Sequence, residues 1–207
     1  MYDIDLSSVQ GVWSSYWSVC SGALQLDPDA YIAVVNEDGG TLLAWLIVLV
    51  AGVSFMIGQS IVLLANHVSR RRFITSLVTG ALVLVLEIGL WAVSAWLVGA
   101  LLIDGRPRLL DALTLVWLSH APLLFGFLVL LPYLGAVIEK ALQIWILLAL
   151  VVAVHAVYQS GFWESIACAA IGWFAVQFIF RFGGLAWLRA TRKSHISLPP
   201  STPLHPS

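Results

Sequence analysis

The chain has 207 residues, of which 60% are hydrophobic and only 10% charged. A soluble domain carries about 25% charged residues, so a well-solvated globular surface cannot be built from this stock. Ten basic against eleven acidic side chains leave a net charge of −1, which excludes a basic nucleic-acid-binding face and a long acidic tail.

The first 40 residues read as an extramembrane segment. They hold Asp3, Asp5, Asp27, Asp29, Glu37 and Asp38 and no Lys or Arg, so they lack the basic start of a secretory signal. Leu6, Val9, Trp13, Tyr16, Trp17, Cys20 and Leu24 recur at helical spacing, with serines largely between them. This predicts an amphipathic, interfacial helix with its aromatics in the headgroup layer, or the same face packed on a bundle. Asp27-Pro28 signals a second short helix from Asp29 to Asn36, ended by Gly39-Gly40.

A transmembrane domain is expected over 41–188, with spans at 41–65, 73–103, 112–138, 141–158 and 165–188. Each run is apolar without alternation, so helices rather than barrel strands are predicted, because backbone in lipid must satisfy its own hydrogen bonds. The fold class is therefore all-α: a polytopic five-helix membrane bundle. The fifth span has only 16 uncharged residues between Glu164 and Arg181, so Arg181 is expected to snorkel. Glu139-Lys140 is taken as the tight turn between the third and fourth spans. Residues 189–207 read as a disordered cytoplasmic tail, since four of the eight prolines fall in the last nine residues.

Loop charges set the orientation. Arg70, Arg71, Arg72, Lys140, Arg181, Arg189, Arg192 and Lys193 fall on one side, and Arg106 and Arg108 on the other. Eight against two puts the N-terminus outside and the C-terminus in the cytoplasm, in a bacterial inner membrane.

Polar residues inside the spans carry the functional information, because a charge at the centre of a span costs about 2.5–3.5 kcal/mol. Glu87 lies midway along the second span, on a stripe with Ser76, Gly80 and Ser94, and so is expected to face the bundle interior. It is either a neutral carboxyl bonded to a neighbouring helix or a group that couples to a proton or cation. His120 and His155 on adjacent spans are candidate haem or pigment ligands, but their depths differ by about 7–10 Å, which is poor for one shared haem. Gln59, Gln143 and Gln177 fall near the inner ends of three spans, where amides bridge helices. Pro122 frees the carbonyl of Leu118, and Pro132 that of Leu128. The region of His120 and Pro122 is the best candidate for an irregular, wet pocket. The candidate intramembrane polar site is thus Glu87, His120, Pro122, His155 and Gln177. Catalytic residues, cofactors and metal ligands are not expected, and Cys20 and Cys168 read as free thiols.

Ser119-His120-Ala121-Pro122-Leu123-Leu124, then Leu131-Pro132-Tyr133-Leu134-Gly135 and the hairpin into Ile144-Trp145-Ile146, resemble the core of the Yip1-type integral membrane domain over residues 70–180. The resemblance implies a five-span layout and no catalytic residues. Its eukaryotic members serve vesicle trafficking and keep their N-terminus in the cytoplasm. The charge count here puts it outside, so that role does not follow.

Three functions remain in view. A non-enzymatic scaffold or accessory subunit is preferred, because one intramembrane carboxylate without a partner is thin machinery for transport. A small proton-coupled permease using Glu87 is the alternative, and a pigment- or haem-complex subunit the third. The expected partners are the lipid bilayer and other membrane-protein subunits, and no nucleic acid.

Overall fold

The computed structural model describes residues 2, 4–65, 70–102, 108–131 and 133–194. Among them the regular elements are all helical: α1 (Val9–Leu24), α2 (Pro28–Asn36), α3 (Gly40–Ala65), α4 (Arg70–Leu102), α5 (Leu109–Ser119), a 3₁₀ helix (Ala121–Leu130), α6 (Gly135–Tyr158) and α7 (Phe162–Ser194). Residues 189–194, expected in the disordered tail, belong to α7; the rest of that tail from 195, Pro132 and residues 103–107 lie outside the described residues.

Side-chain caps start the two N-terminal helices. Ser8 Oγ accepts the Gly11 N–H at 2.9 Å, and Asp27 Oδ1 accepts the Asp29 N–H at 3.1 Å, each satisfying an N–H that a helix start leaves open. Pro28, preset in φ, opens α2 one residue earlier than expected. The helical spacing of α1 holds, but its apolar stripe splits. Tyr16, Val19, Cys20 and Ala23 are buried, while Trp13 and Trp17 remain 62% and 51% exposed. Close packing selects the face with small residues: a Cβ on Gly22 would lie 2.8 Å from Ala30 Cβ. The indoles point outward, so only part of the apolar stripe packs on the bundle.

Four stretches are long and apolar enough to cross a membrane: Gly40–Gly58, Val78–Leu102, Leu109–Leu130 and Gly135–Tyr158. A fifth, Phe162–Phe178, is a shorter apolar stretch that forms the first half of α7. Only 22% of the α4 window is buried, and its outward residues include Leu82, Val85, Leu86 and Leu97. Helices with apolar outer faces are built for lipid, not water. α3 runs parallel to α5 and the 3₁₀ helix, as Thr114 Oγ1 to Thr41 Oγ1 at 3.2 Å and Ser54 Oγ to Leu124 O at 2.7 Å show. α4 runs antiparallel to α7, joined by Trp91 Nε1–H to Ala169 O at 3.3 Å and Cys168 Sγ–H to Ala95 O at 3.0 Å. Cys20 and Cys168 are separate, buried, free thiols.

The third apolar segment departs from the expected single helix 112–138. α5 stops at Ser119, ten residues continue as 3₁₀ helix, and α6 already begins at Gly135. Pro122 has no N–H for an α-type bond and Pro132 bars its predecessor from the α region, so the chain tightens and then turns. Tyr133 takes the turn with φ 67°. Glu139 and Lys140 therefore lie inside α6, not between the spans as expected. At about 1.5 and 2.0 Å rise per residue, α5 and the 3₁₀ helix cover roughly 36 Å, so 22 residues still suffice for a span.

Two predictions follow from this packing. A Cβ on Gly126 would lie 2.6 Å from Phe55 Cα, backbone that cannot yield, so Gly126→Ala should destabilise the bundle by about 1–3 kcal/mol. Equilibrium unfolding in mixed micelles measures it, and an unchanged midpoint counts against the crossing. The second concerns the N-terminus, where Tyr2 OH donates to Asp27 Oδ2 at 2.7 Å. Partial burial first, then that bond and the charges of Asp27 and Asp29, push the phenol up to about 12. A phenol raised above its unfolded value of about 10 holds its stabilisation below that pH and loses it as pH rises through about 12. Burial raises Tyr16 and Tyr31 as well, so the test is a difference: Asp27→Asn should bring the phenolate absorbance of one tyrosine earlier than in wild type.

Candidate functional site

A cavity of about 230 Å³ opens between α3, α4, the α5–3₁₀ junction, α6 and α7. From α4, Gly80, Leu84, Glu87 and Trp91 face it at spacings of four, three and four residues, one stripe of a 3.6-residue helix. From α6, Glu139, Gln143 and Ile146 do the same at four and three. Phe55 and Met56 of α3, His120, Leu123 and Trp173 complete the wall. Two carboxyl groups from different helices thus meet one space, and no Lys or Arg lines it among the described residues. Lys140 is exposed, and its Nζ donates at 3.0 Å to Oε1 of Gln143, which lines the cavity.

His120 is 4% exposed and its ring is fixed on two sides. Nδ1 lies 2.6 Å from the carbonyl of Val116; a carbonyl can only accept, so Nδ1 carries the proton that donates. That leaves Nε2 without a hydrogen-bond partner among the described residues. The Trp91 ring stands edge-on to the imidazole, centroids 5.5 Å apart. Trp91 is seated by its bond to Ala169 and by Gly172, where a Cβ would come within 2.8 Å of Cδ1.

The expected site residues separate. Glu87 and His120 line the same cavity, with Pro122 buried at the start of the 3₁₀ helix beside them. His155 does not join them: it is exposed at the α6–α7 turn, and its Nδ1–H donates to Ser160 O at 2.7 Å. Gln177 of α7 is half-buried and does not line the cavity. The side chains of Gln59 and Ser76 lie outside the described residues. Glu139 and Trp91 were missed in the sequence. The pair Glu139-Lys140 reads as a turn in the sequence, whereas a helix starting at Gly135 puts Glu139 on the cavity wall. Trp91 follows Glu87 by four residues, a signal that was present. Among the described residues, Glu87, Glu139 and His120 do not approach as a metal-ligating group.

No family model, curated protein or solved structure matches the chain.

The Trp91–Gly172 fit yields a test. Gly172→Ala should push the indole off Ala169 and cost about 1–3 kcal/mol of stability. Trp91→Leu should make Gly172→Ala nearly neutral, a coupling of at least about 0.5 kcal/mol in a double-mutant cycle. Additive effects would show that the two residues do not meet.

Proposed function

We propose that this is a small, non-enzymatic, five-span membrane carrier whose central cavity binds a cation in exchange for a proton, with Glu87 as the group that takes either. The observation that carries this reading is the convergence of Glu87 and Glu139 on one cavity that no Lys or Arg lines among the described residues. One buried carboxyl can be satisfied by a neighbouring helix. Two facing the same space favour a shared positive charge, whether a proton or a cationic group. His120, fixed through Nδ1, offers Nε2 as a further acceptor. In this reading the N-terminus lies outside and the C-terminus in the cytoplasm of a bacterial inner membrane, supported by the basic side chains of 70–72, 140 and α7. Five apolar helical segments also support the likeness to the Yip1-type domain, which is proposed for residues 70–180 as a matter of architecture and not of trafficking.

Exposed Val9, Trp13 and Trp17 on α1 favour a second reading, a scaffold or accessory subunit with an aromatic face for lipid headgroups or a neighbouring subunit. Proteoliposomes holding a pH dye separate the two. Wild-type protein should pass protons against an imposed cation gradient, and Glu87→Gln should reduce that flux at least tenfold while the protein stays folded. Flux no greater than in empty liposomes, or full flux in Glu87→Gln, leaves the scaffold.

A further inference from the structure

Three kinds of group line the central cavity, and each narrows the choice of cation. Glu87 and Glu139 supply negative charge from two helices, and they outnumber the exposed Lys140, which bonds to Gln143 on the cavity wall. His120 supplies a buried acceptor. It is 4% exposed, its Nδ1–H donates to Val116 O, and Nε2 has no hydrogen-bond partner among the described residues. A neutral ring in that state calls for a ligand with an N–H. Phe55, Trp91 and Trp173 supply aromatic wall. The Trp91 N–H is held on Ala169 O at 3.3 Å, so the cavity meets its carbon ring.

The placing of the acceptors decides between cation shapes. A bare metal ion draws its oxygen ligands to within about 2.0–2.6 Å of one point. Among the described residues Glu87, Glu139 and His120 do not gather into such a group. An ammonium is nearly as demanding, because its N–H bonds radiate from one nitrogen at about 2.7–3.2 Å. A guanidinium spreads its N–H donors around a plane, so carboxylates on two of its edges can stand about 7 Å apart. Its faces stack on aromatic rings, and its weak hydration lowers the cost of leaving water. Size sets the rest. A cavity of about 150 Å³ accepts benzene, so the 230 Å³ here takes roughly nine non-hydrogen atoms.

We infer that the cavity is a site for a small guanidinium-type cation, planar and rich in N–H. Glu87 and Glu139 take its edges, His120 Nε2 is the third acceptor, and the rings of Trp91 and Trp173 lie against its plane. The inference rests on the cation reading above and names the substrate class.

The experiment compares methylguanidinium, tetramethylammonium and potassium, at equal concentration, as the gradient imposed on the proteoliposomes. All three stay charged at neutral pH, so no free base crosses the bilayer to mimic exchange. Tetramethylammonium has charge without N–H, and potassium has charge without a plane. Methylguanidinium should drive at least tenfold more proton flux than either. Radiolabelled methylguanidinium should also bind the full chain in phosphatidylcholine nanodiscs at one saturable site. Glu139→Gln and Trp173→Leu should each weaken that binding at least fivefold, with unfolding midpoints in mixed micelles showing that they fold. The wild-type selectivity needs no variant, so it decides even where one unfolds. Equal or greater flux with potassium or tetramethylammonium overturns the guanidinium class while the cation reading stands. Saturable binding that neither folded variant weakens puts the ligand elsewhere and overturns this site. Binding that Glu139→Gln weakens, without flux from any of the three cations, keeps the site and overturns the carrier. Neither flux nor saturable binding overturns both.

Discussion

The bundle depends on one crossing, where α3 lies against the 3₁₀ helix at Gly58 and Gly126. With no side chain on either residue the two backbones come into direct contact, and Ser54 reaches across to the Leu124 carbonyl. In lipid there is no hydrophobic drive to bring helices together, so close packing of small residues and a few interhelical hydrogen bonds have to supply association. The 3₁₀ geometry contributes its own requirement. Its hydrogen bonds are poorer than those of an α-helix, and irregular backbone at membrane depth is tolerated only against protein or a cavity. Buried Ala121, Leu123 and Gly126 meet that condition. The crossing thus fixes where α5 ends, which fixes where His120 sits.

From that point the site follows by packing. His120 occupies the last turn before the change of helix type, bonded back to Val116, and its ring is wedged by Trp91. Trp91 in turn needs the notch at Gly172. These contacts join α4, α5 and α7 around one point, and they leave the side of α4 bearing Glu87 facing α6. The cavity exists because large rings hold the helices apart on one level. Elsewhere alanines, among them Ala92, Ala95, Ala149, Ala153 and Ala169, let the helices close up.

Much of this was written in the chain. Apolar runs without alternation marked each helix, Asp27-Pro28 marked the start of α2, and the isolated carboxyl at Glu87 marked the interior of α4. Pro122 and Pro132 were read as breaks, yet the response of the chain to them was not. Ten residues of 3₁₀ helix require Gly126 to meet Gly58, a contact between segments far apart in sequence that no local pattern announces. The early start of α6 follows from the same pair of prolines, and with it the place of Glu139 on the cavity wall. Periodicity likewise found α1 but could not choose its packed face. The choice turned on Gly22 and Ala23 fitting against Ala30 and Tyr31 of α2, whereas Trp13 and Trp17 are the more conspicuous hydrophobes.

The two halves of the bundle are packed differently, and that bears on what a carrier built this way must do. Around Glu87 there is room for a ligand; beyond Trp91, between Ala95, Ala112, Leu150, Tyr158 and Cys168, the remaining gap is about 10 Å³, the volume of a single water at most. The Tyr158 hydroxyl has no partner there. Passage to the far side would require this half to loosen; the hydrogen bonds between its helices, among the described residues, include a threonine pair between α3 and α5 and a thiol bond between α4 and α7. Bonds of this kind contribute about 0.6 kcal/mol each in membrane bundles. The stronger hold is the interdigitated small-residue packing, which has to give way as a unit.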